Sequence, residues 1–297
     1  MTDSFKEKFR QAVAETEAVV YSYLPEETGH QKTIFEAMNY SVKAGGKRLR
    51  PLLMREVYRL FGGNGPEIGP FMAAMEMIHT SSLIHDDLPC MDNDDYRRGK
   101  LTTWKAYGYD MAVLAGDALM IYAFEVASKA FTMGADPAKV GRAIGILAEK
   151  TGIYGMIGGQ TVDVELTGKA VPREKLDFIY RLKTGALIEA SMFIGAVLGG
   201  AAEEDCKIVE SLAGKVGLAF QIQDDILDVT STQEELGKPV LSDEKNQKTT
   251  YVTLEGLEKA KQDVKEISDR AAGRLAGLPG KNEFLYDIIE MLVNRKN

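Results

Sequence analysis

Two stretches of the chain gather carboxylates at spacings suited to a divalent cation. In His85-Asp86-Asp87-Leu88-Pro89-Cys90-Met91-Asp92, two adjacent aspartates precede a proline and a third follows a two-residue extension. In Gln221-Ile222-Gln223-Asp224-Asp225-Ile226-Leu227-Asp228 the outer aspartates stand at i and i+4, which on a helix brings Asp224 and Asp228 to one face about 5 to 6 Å apart. Like charges at that distance call for a counter-ion. The donors are oxygens, with His85 the one adjacent imidazole. That set suits magnesium, which keeps waters and bridges a few carboxylates to substrate phosphates. Either stretch alone reads as a solvated acidic turn, but two of them, each ending an apolar helix, weigh against that. An EF-hand calcium loop fails: counted from Asp92 it finds Asp94, then Tyr96, Arg97 where glycine belongs and Thr103 where the closing glutamate belongs.

These aspartates need elements to hold them. Apolar residues recur at three- and four-residue spacing almost throughout, and strict alternation over strand lengths is scarce, so the expected fold is all-α. Breaks at Gly45-Gly46, Gly62-Gly63-Asn64-Gly65-Pro66, Pro172 and Pro239 mark about ten helices. A helix over Glu67 to Leu88 is too apolar for a surface, and Pro89 stops it just after Asp86-Asp87. A second, over Ile208 to Val229, carries Asp224, Asp225 and Asp228 near its C-terminal end. Carboxylates there oppose the helix macrodipole, at about 0.3 to 1 kcal/mol per group. Something cationic must compensate.

The chain has 297 residues, 45% hydrophobic and 27% charged, without a linker or low-complexity tract, so one domain over 1–297 is expected. A net charge of −8 repels polyanions and argues against general nucleic-acid binding. The longest charge-free apolar run, Ala190 to Ala202, falls short of the roughly 20 residues of a membrane span, so no transmembrane segment is expected. The first residues, Met1-Thr2-Asp3-Ser4-Phe5-Lys6, lack the basic region and apolar run of a secretory signal. Two distant cysteines, Cys90 and Cys206, make a disulfide framework improbable, and the expected compartment is the cytoplasm.

Gly45-Gly46-Lys47-Arg48-Leu49-Arg50-Pro51, the first aspartate cluster followed by Arg97-Arg98-Gly99, Gly159-Gln160-Thr161-Val162-Asp163, Lys183-Thr184-Gly185 and the Gln221 to Asp228 stretch occur in one order. Together they resemble the short-chain trans-isoprenyl diphosphate synthases, of the bacterial and plastid farnesyl or geranylgeranyl diphosphate synthase type, whose first motif carries two extra residues, here Pro89 and Cys90. The resemblance spans about Lys47 to Lys248. It implies an all-α, single-domain bundle of about ten helices around a deep central cavity, usually paired as a homodimer. It makes Asp86 and Asp92, with Asp87 supporting, magnesium ligands, and adds Asp224 and Asp228, for three ions in all when diphosphate is bound; Asp225 is the less certain member. Arg97, Lys183, Gln221 and Lys238 match positions that grip the allylic diphosphate, and Lys47, Arg50, His79 and Arg98 match the isopentenyl diphosphate pocket. Lys248 matches a phosphate contact, and Thr184 is pointed at the reaction centre by a helix kink. By type and place alone His79 reads as a core histidine and Lys248 as a surface lysine.

The implied reaction is an ionisation, condensation and elimination. A diphosphate beside four or more carboxylates meets about 3 kcal/mol of repulsion per charge pair at about 5 Å and an effective dielectric near 20, so metal is obligatory. Ionisation leaves an allylic cation that apolar walls must shield from water. Positioning the second substrate can relieve as much as about 7 to 11 kcal/mol of the barrier. A terpene cyclase shares the implied fold but needs no second diphosphate site, and non-catalytic subunits of heteromeric synthases typically lack one acidic motif. Product length is expected to be set on the helix before Asp86. Bacterial farnesyl synthases usually carry an aromatic residue five positions before the first aspartate; here that position is Ser81, beside Ser82. The next floor is Met77 or Ile78, about one turn or 5.4 Å deeper, a depth comparable to one isoprene unit.

Overall fold

The computed structural model describes residues 3–230 and 249–294, and these are almost entirely helical. They group into two compact units. The first takes in residues up to Arg55 and Asn64–Ile144; the second takes in Glu56–Gly63 and the chain from Gly145 onward.

The first unit contains α1 (Asp3–Ser22), α2 (Lys32–Val42), the opening half of α3 (Leu49–Leu60), α4 (Ile68–Asp86), α5 (Thr103–Tyr107) and α6 (Tyr109–Ser128). As its composition requires, α4 is buried on every side, with Phe71 through Met75, Met77 and Ile78 all closed to solvent. It packs on α6, whose facing residues Ala112, Ala115, Gly116 and Ala123 are small and let the backbones come close. A Cβ on Gly116 would sit 2.1 Å from His85 Nε2, so a larger residue there must displace that ring.

Periodicity misses one element of this unit. Tyr96–Arg97 and Lys100–Leu101 form a two-stranded antiparallel hairpin, too short to show alternation. Its turn, Arg98-Gly99, has φ of 54° and 75°, the doubly left-handed geometry that matches the twist of paired strands.

The second unit holds α8 (Met156–Leu166), α9 (Arg173–Ile179), α10 (Ala186–Gly199), α11 (Glu203–Thr230), α12 (Tyr251–Glu255), α13 (Leu257–Ala276) and α14 (Glu283–Asn294), with α7 (Pro137–Thr151) leading in. Between α9 and α10 the helix widens into a π turn, Tyr180–Gly185, which supplies the kink expected at Lys183-Thr184-Gly185. Glycines on two neighbouring helices accommodate this bulge. A Cβ on Gly159 of α8 would lie 2.3 Å from the Lys183 backbone nitrogen, and one on Gly217 of α11 would lie 2.9 Å from Gly185 Cα.

Two stretches, Tyr109–Thr132 and Arg173–Gly199, are by length and composition alone apolar enough to cross a membrane. A count of uninterrupted apolar residues passes over both, because Asp117 and Lys183 interrupt them. The more buried of the two, Arg173–Gly199, carries Glu189 paired with Lys150 at 2.6 Å, as in the core of a folded unit. Cys90 and Cys206 form no disulfide.

Candidate active site

At the C-terminal end of α4, the Asp87 amide still bonds to Leu83 O and Leu88 N bonds to His85 O before Pro89 ends the ladder. The chain then coils tightly: Met91 N and Asn93 N both reach Leu88 O, at 2.8 and 3.1 Å, and Asp92 N donates to Asp86 O at 2.8 Å. The two-residue extension is therefore a loop that returns Asp92 to Asp86. Asp87 turns inward, 3% exposed, and the hairpin delivers Arg97 to it: Nε lies 2.7 and 2.9 Å from the two carboxylate oxygens, with Nη2 2.6 Å from Oδ1. Burial pushes the Asp87 carboxyl above its ordinary range, and Arg97 opposes that rise.

The basic residues of this unit gather nearby. Arg50, in the first turn of α3, places Nη1 3.3 Å from His79 Nε2, while its buried Nε has no hydrogen-bond partner among the described residues. Arg98 donates to the Gly45 carbonyl and lies over Gly46, where a Cβ would come within 2.8 Å of its guanidinium carbon. Lys47 is exposed. Burial, then the neighbouring Arg50, Arg98 and Arg97, hold the His79 imidazole well below its ordinary 6.5, so it is neutral. Burial and Arg98 likewise lower Arg50 to about 10, against the pull of Glu76.

In the second unit a cavity of about 110 Å³ is lined by Asp163, Tyr180, Lys183, Thr184, Gln221 and Asp225, among others. Lys183 Nζ donates to Asp163 Oδ2 at 2.6 Å, and Thr184 Oγ1 donates to Gln221 Oε1 at 2.8 Å. Asp225 accepts from Tyr180 OH at 2.5 Å, from the Tyr251 amide at 2.8 Å and, at 3.4 Å, from Gln221 Nε2. Asp224 and Asp228 flank it in the last turns of α11.

The sequence profile of the family described as polyprenyl synthetase matches residues 31–288. The chain belongs to the polyprenyl synthetase family. It is 48% identical to the chloroplastic geranylgeranyl pyrophosphate synthase of Capsicum annuum over 84% of this chain and 67% of that one. It is 44% identical to the farnesyl diphosphate synthase of Geobacillus stearothermophilus over 99% of this chain and 97% of that one. Among solved structures, a Helicobacter pylori geranyltransferase in complex with magnesium and isoprenyl diphosphate superposes with a TM-score of 0.83 at 32% identity, covering 99% of this chain and 98% of that one.

This synthase is thus an all-α, magnesium-dependent trans-prenyltransferase that joins allylic diphosphates to isopentenyl diphosphate. Its donor set fits the metal. The carboxylates at both motifs are hard oxygen donors. Magnesium takes such donors and completes its coordination with water and substrate phosphate.

Of the residues singled out in the synthase's sequence, Arg50, His79 and Arg98 come together in one unit, and Lys183, Thr184 and Gln221 line one cavity in the other. Lys238 and Lys248 lie outside the described residues. Met77, Ile78 and Ser81 are fully buried; Ser81 spends its hydroxyl on Ile78 O at 2.8 Å, and the half-buried Ser82 does the same with His79 O at 2.9 Å. Sequence reasoning missed Tyr180 and Tyr251 as partners of Asp225, and Asp163 as partner of Lys183. Asp163 was in view, since it closes the Gly159-Gln160-Thr161-Val162-Asp163 stretch; the two tyrosines stand in no motif.

Proposed function

We propose that this synthase carries elongation to the twenty-carbon geranylgeranyl diphosphate. The observation that supports this reading is Ser81: five positions before Asp86, fully buried, its hydroxyl already bonded to its own helix, it is too small to plug a channel running back along α4. The floor then falls to Met77 or Ile78, about one helical turn further. Incubation of the purified protein with dimethylallyl or geranyl diphosphate, excess isopentenyl diphosphate and magnesium should yield the twenty-carbon product. A product that stops at fifteen carbons would overturn the open-floor reading. Ser81→Tyr should shorten the product to fifteen carbons while leaving the first condensation intact.

Residue roles follow the chemistry each unit offers. In the first, Lys47, Arg50, His79 and Arg98 hold isopentenyl diphosphate, Arg97 holds the allylic diphosphate, and Asp86 and Asp92, backed by Asp87, hold magnesium. In the second, Asp224 and Asp228 hold magnesium, and Lys183, Gln221 and, from outside the described residues, Lys238 and Lys248 attend the diphosphate. Bound magnesium, three ions in this reading, supplies the positive charge that offsets the charge gathering on the leaving diphosphate. The allylic carbon–oxygen bond breaks with its electron pair on that oxygen. The double bond of isopentenyl diphosphate then attacks the allylic carbon, a proton leaves the resulting cation, and the departed diphosphate accepts it. Thr184, fixed by Gln221, steadies the reaction centre. Neutral His79 donates or accepts a hydrogen bond without adding charge.

The synthase is also proposed to be a cytoplasmic homodimer. Leu114 and Ile121, 54% and 72% exposed and two turns apart on one face of α6, support the dimer, and two cysteines outside any disulfide support a reducing compartment. Sedimentation should give twice the chain mass, and Ile121→Asp should give a monomer. Subcellular fractionation tests the compartment.

A further inference from the structure

Between Lys47 and Arg50 lies Arg48, whose surroundings suit neither a surface loop residue nor a substrate contact. Its side chain is fully buried. Nη1 lies 2.6 Å from Glu76 Oε1, Nε lies 3.0 Å from Glu17 Oε1, and Nη2 reaches Val42 O at 2.7 Å and Tyr21 OH at 3.0 Å. The guanidinium also sits 5.7 Å from the Tyr21 ring centre. Burial alone would lower its pKa, but Glu76 and its other partners outweigh that and raise it. Four acceptors from α1, α2 and α4 therefore converge on one residue of the loop.

The backbone bears the mark of that anchorage. Arg48 has φ of +48°, next to Gly45 and Gly46 at +94° and +137°. A non-glycine residue persists there only where its surroundings over-determine it. This sharp reversal separates exposed Lys47 from Arg50, which enters the first turn of α3 and meets His79. Glu76 stands three residues before His79, one turn away on the same face of α4. The Arg48–Glu76 contact thus sets the register of the Lys47–Arg50 loop against the His79 face. Glu76 has a second effect, since it opposes the loss of charge on both Arg50 and Arg98. A buried ion pair is poor support for stability, since apolar replacements are often as stable. Its use here is geometric and electrostatic.

We propose that Arg48 and Glu76 are a buried positioning pair that shapes the isopentenyl diphosphate pocket by fixing Lys47 and Arg50 against His79, without touching substrate. The inference rests on the reading that those residues bind isopentenyl diphosphate. Arg48→Lys keeps the charge but loses the fork that reaches several acceptors at once. It should raise the KM for isopentenyl diphosphate about tenfold or more, with kcat and the allylic KM within about twofold of the parent. Glu76→Gln should do the same. Should either fail to fold, the double substitution Arg48→Met with Glu76→Leu, which fills the space with apolar groups, is expected to fold and still show the raised KM. Arg50→Ala, run in parallel, separates the two claims. If it leaves the isopentenyl KM unchanged, the pocket assignment itself fails. If it raises that KM while Arg48→Lys and the double variant leave it within about twofold of the parent, or move both substrates' KM equally, the positioning role is overturned.

Discussion

The middle aspartates of the two acidic motifs, Asp87 and Asp225, invite comparison because both are 3% exposed yet are neutralised by different means. Asp87 is met by a full charge, the forked guanidinium of Arg97 brought in by the hairpin. Asp225 is met by neutral donors, a tyrosine hydroxyl, a backbone amide at the start of α12 and, at longer range, the Gln221 side-chain amide. In both motifs the middle aspartate ties the motif to its own unit. Arg97 is itself a diphosphate-binding candidate, so the tie at Asp87 is one that ligand can rearrange. The tie at Asp225 also includes one diphosphate-binding candidate, since Gln221 Nε2 lies 3.4 Å from Asp225 Oδ1, but its two shorter bonds come from Tyr180 and Tyr251, to which no substrate role is assigned, so it is the more structural of the two.

The largest effect that tests this division is on turnover. Asp86→Asn or Asp224→Asn should lower kcat by about two to three orders of magnitude with unchanged thermal stability, since each removes an outer carboxylate that stabilises developing charge. If Asp225→Asn lost as much turnover as Asp224→Asn with its stability intact, Asp225 would be a ligand and the comparison would collapse. The expected result is instead a loss of about 1.5 to 3 kcal/mol in denaturant unfolding for Asp225→Asn, the scale of hydrogen bonds to a charged group. His79 should give a smaller effect, confined to acid. Its folded pKa lies well below its ordinary 6.5, so below that pH the unfolded chain takes up a proton that the folded one refuses. Stability falls as pH drops through this window, by up to about 1.4 kcal/mol per pH unit from this group. His79→Gln should therefore show a shallower decline between about pH 6.5 and 5 than the parent in matched urea titrations. The smallest effect is expected of Tyr180→Phe, which removes one of the Asp225 donors and should cost about 0.5 to 1.5 kcal/mol. A cost equal to that of Asp225→Asn would place the whole anchor in that one bond.

Much of the site was legible before any coordinates. Spacing placed Asp224 and Asp228 on one helix, and they lie there; Pro89 ended α4 where a ring without an amide hydrogen must end it; all-round apolarity marked α4 as interior. What spacing reaches is the relation of a residue to its own element, because side-chain periodicity within a helix is a local property. Gln221, one partner of Asp225, is a helical neighbour four residues away, but its tyrosine partners stand 45 and 26 residues away and Glu76 is 28 from Arg48, distances at which no periodicity operates. The hairpin was too short to alternate, and the π turn keeps helical composition while shifting register, so periodicity marked neither, and the kink was expected only from the resemblance. The sequence by itself thus determined which helices carry carboxylates and cations and in what order. Only the tertiary structure decided which neighbours neutralise Asp87 and Asp225, because neutralising a buried charge takes partners that only packing brings within 3 Å.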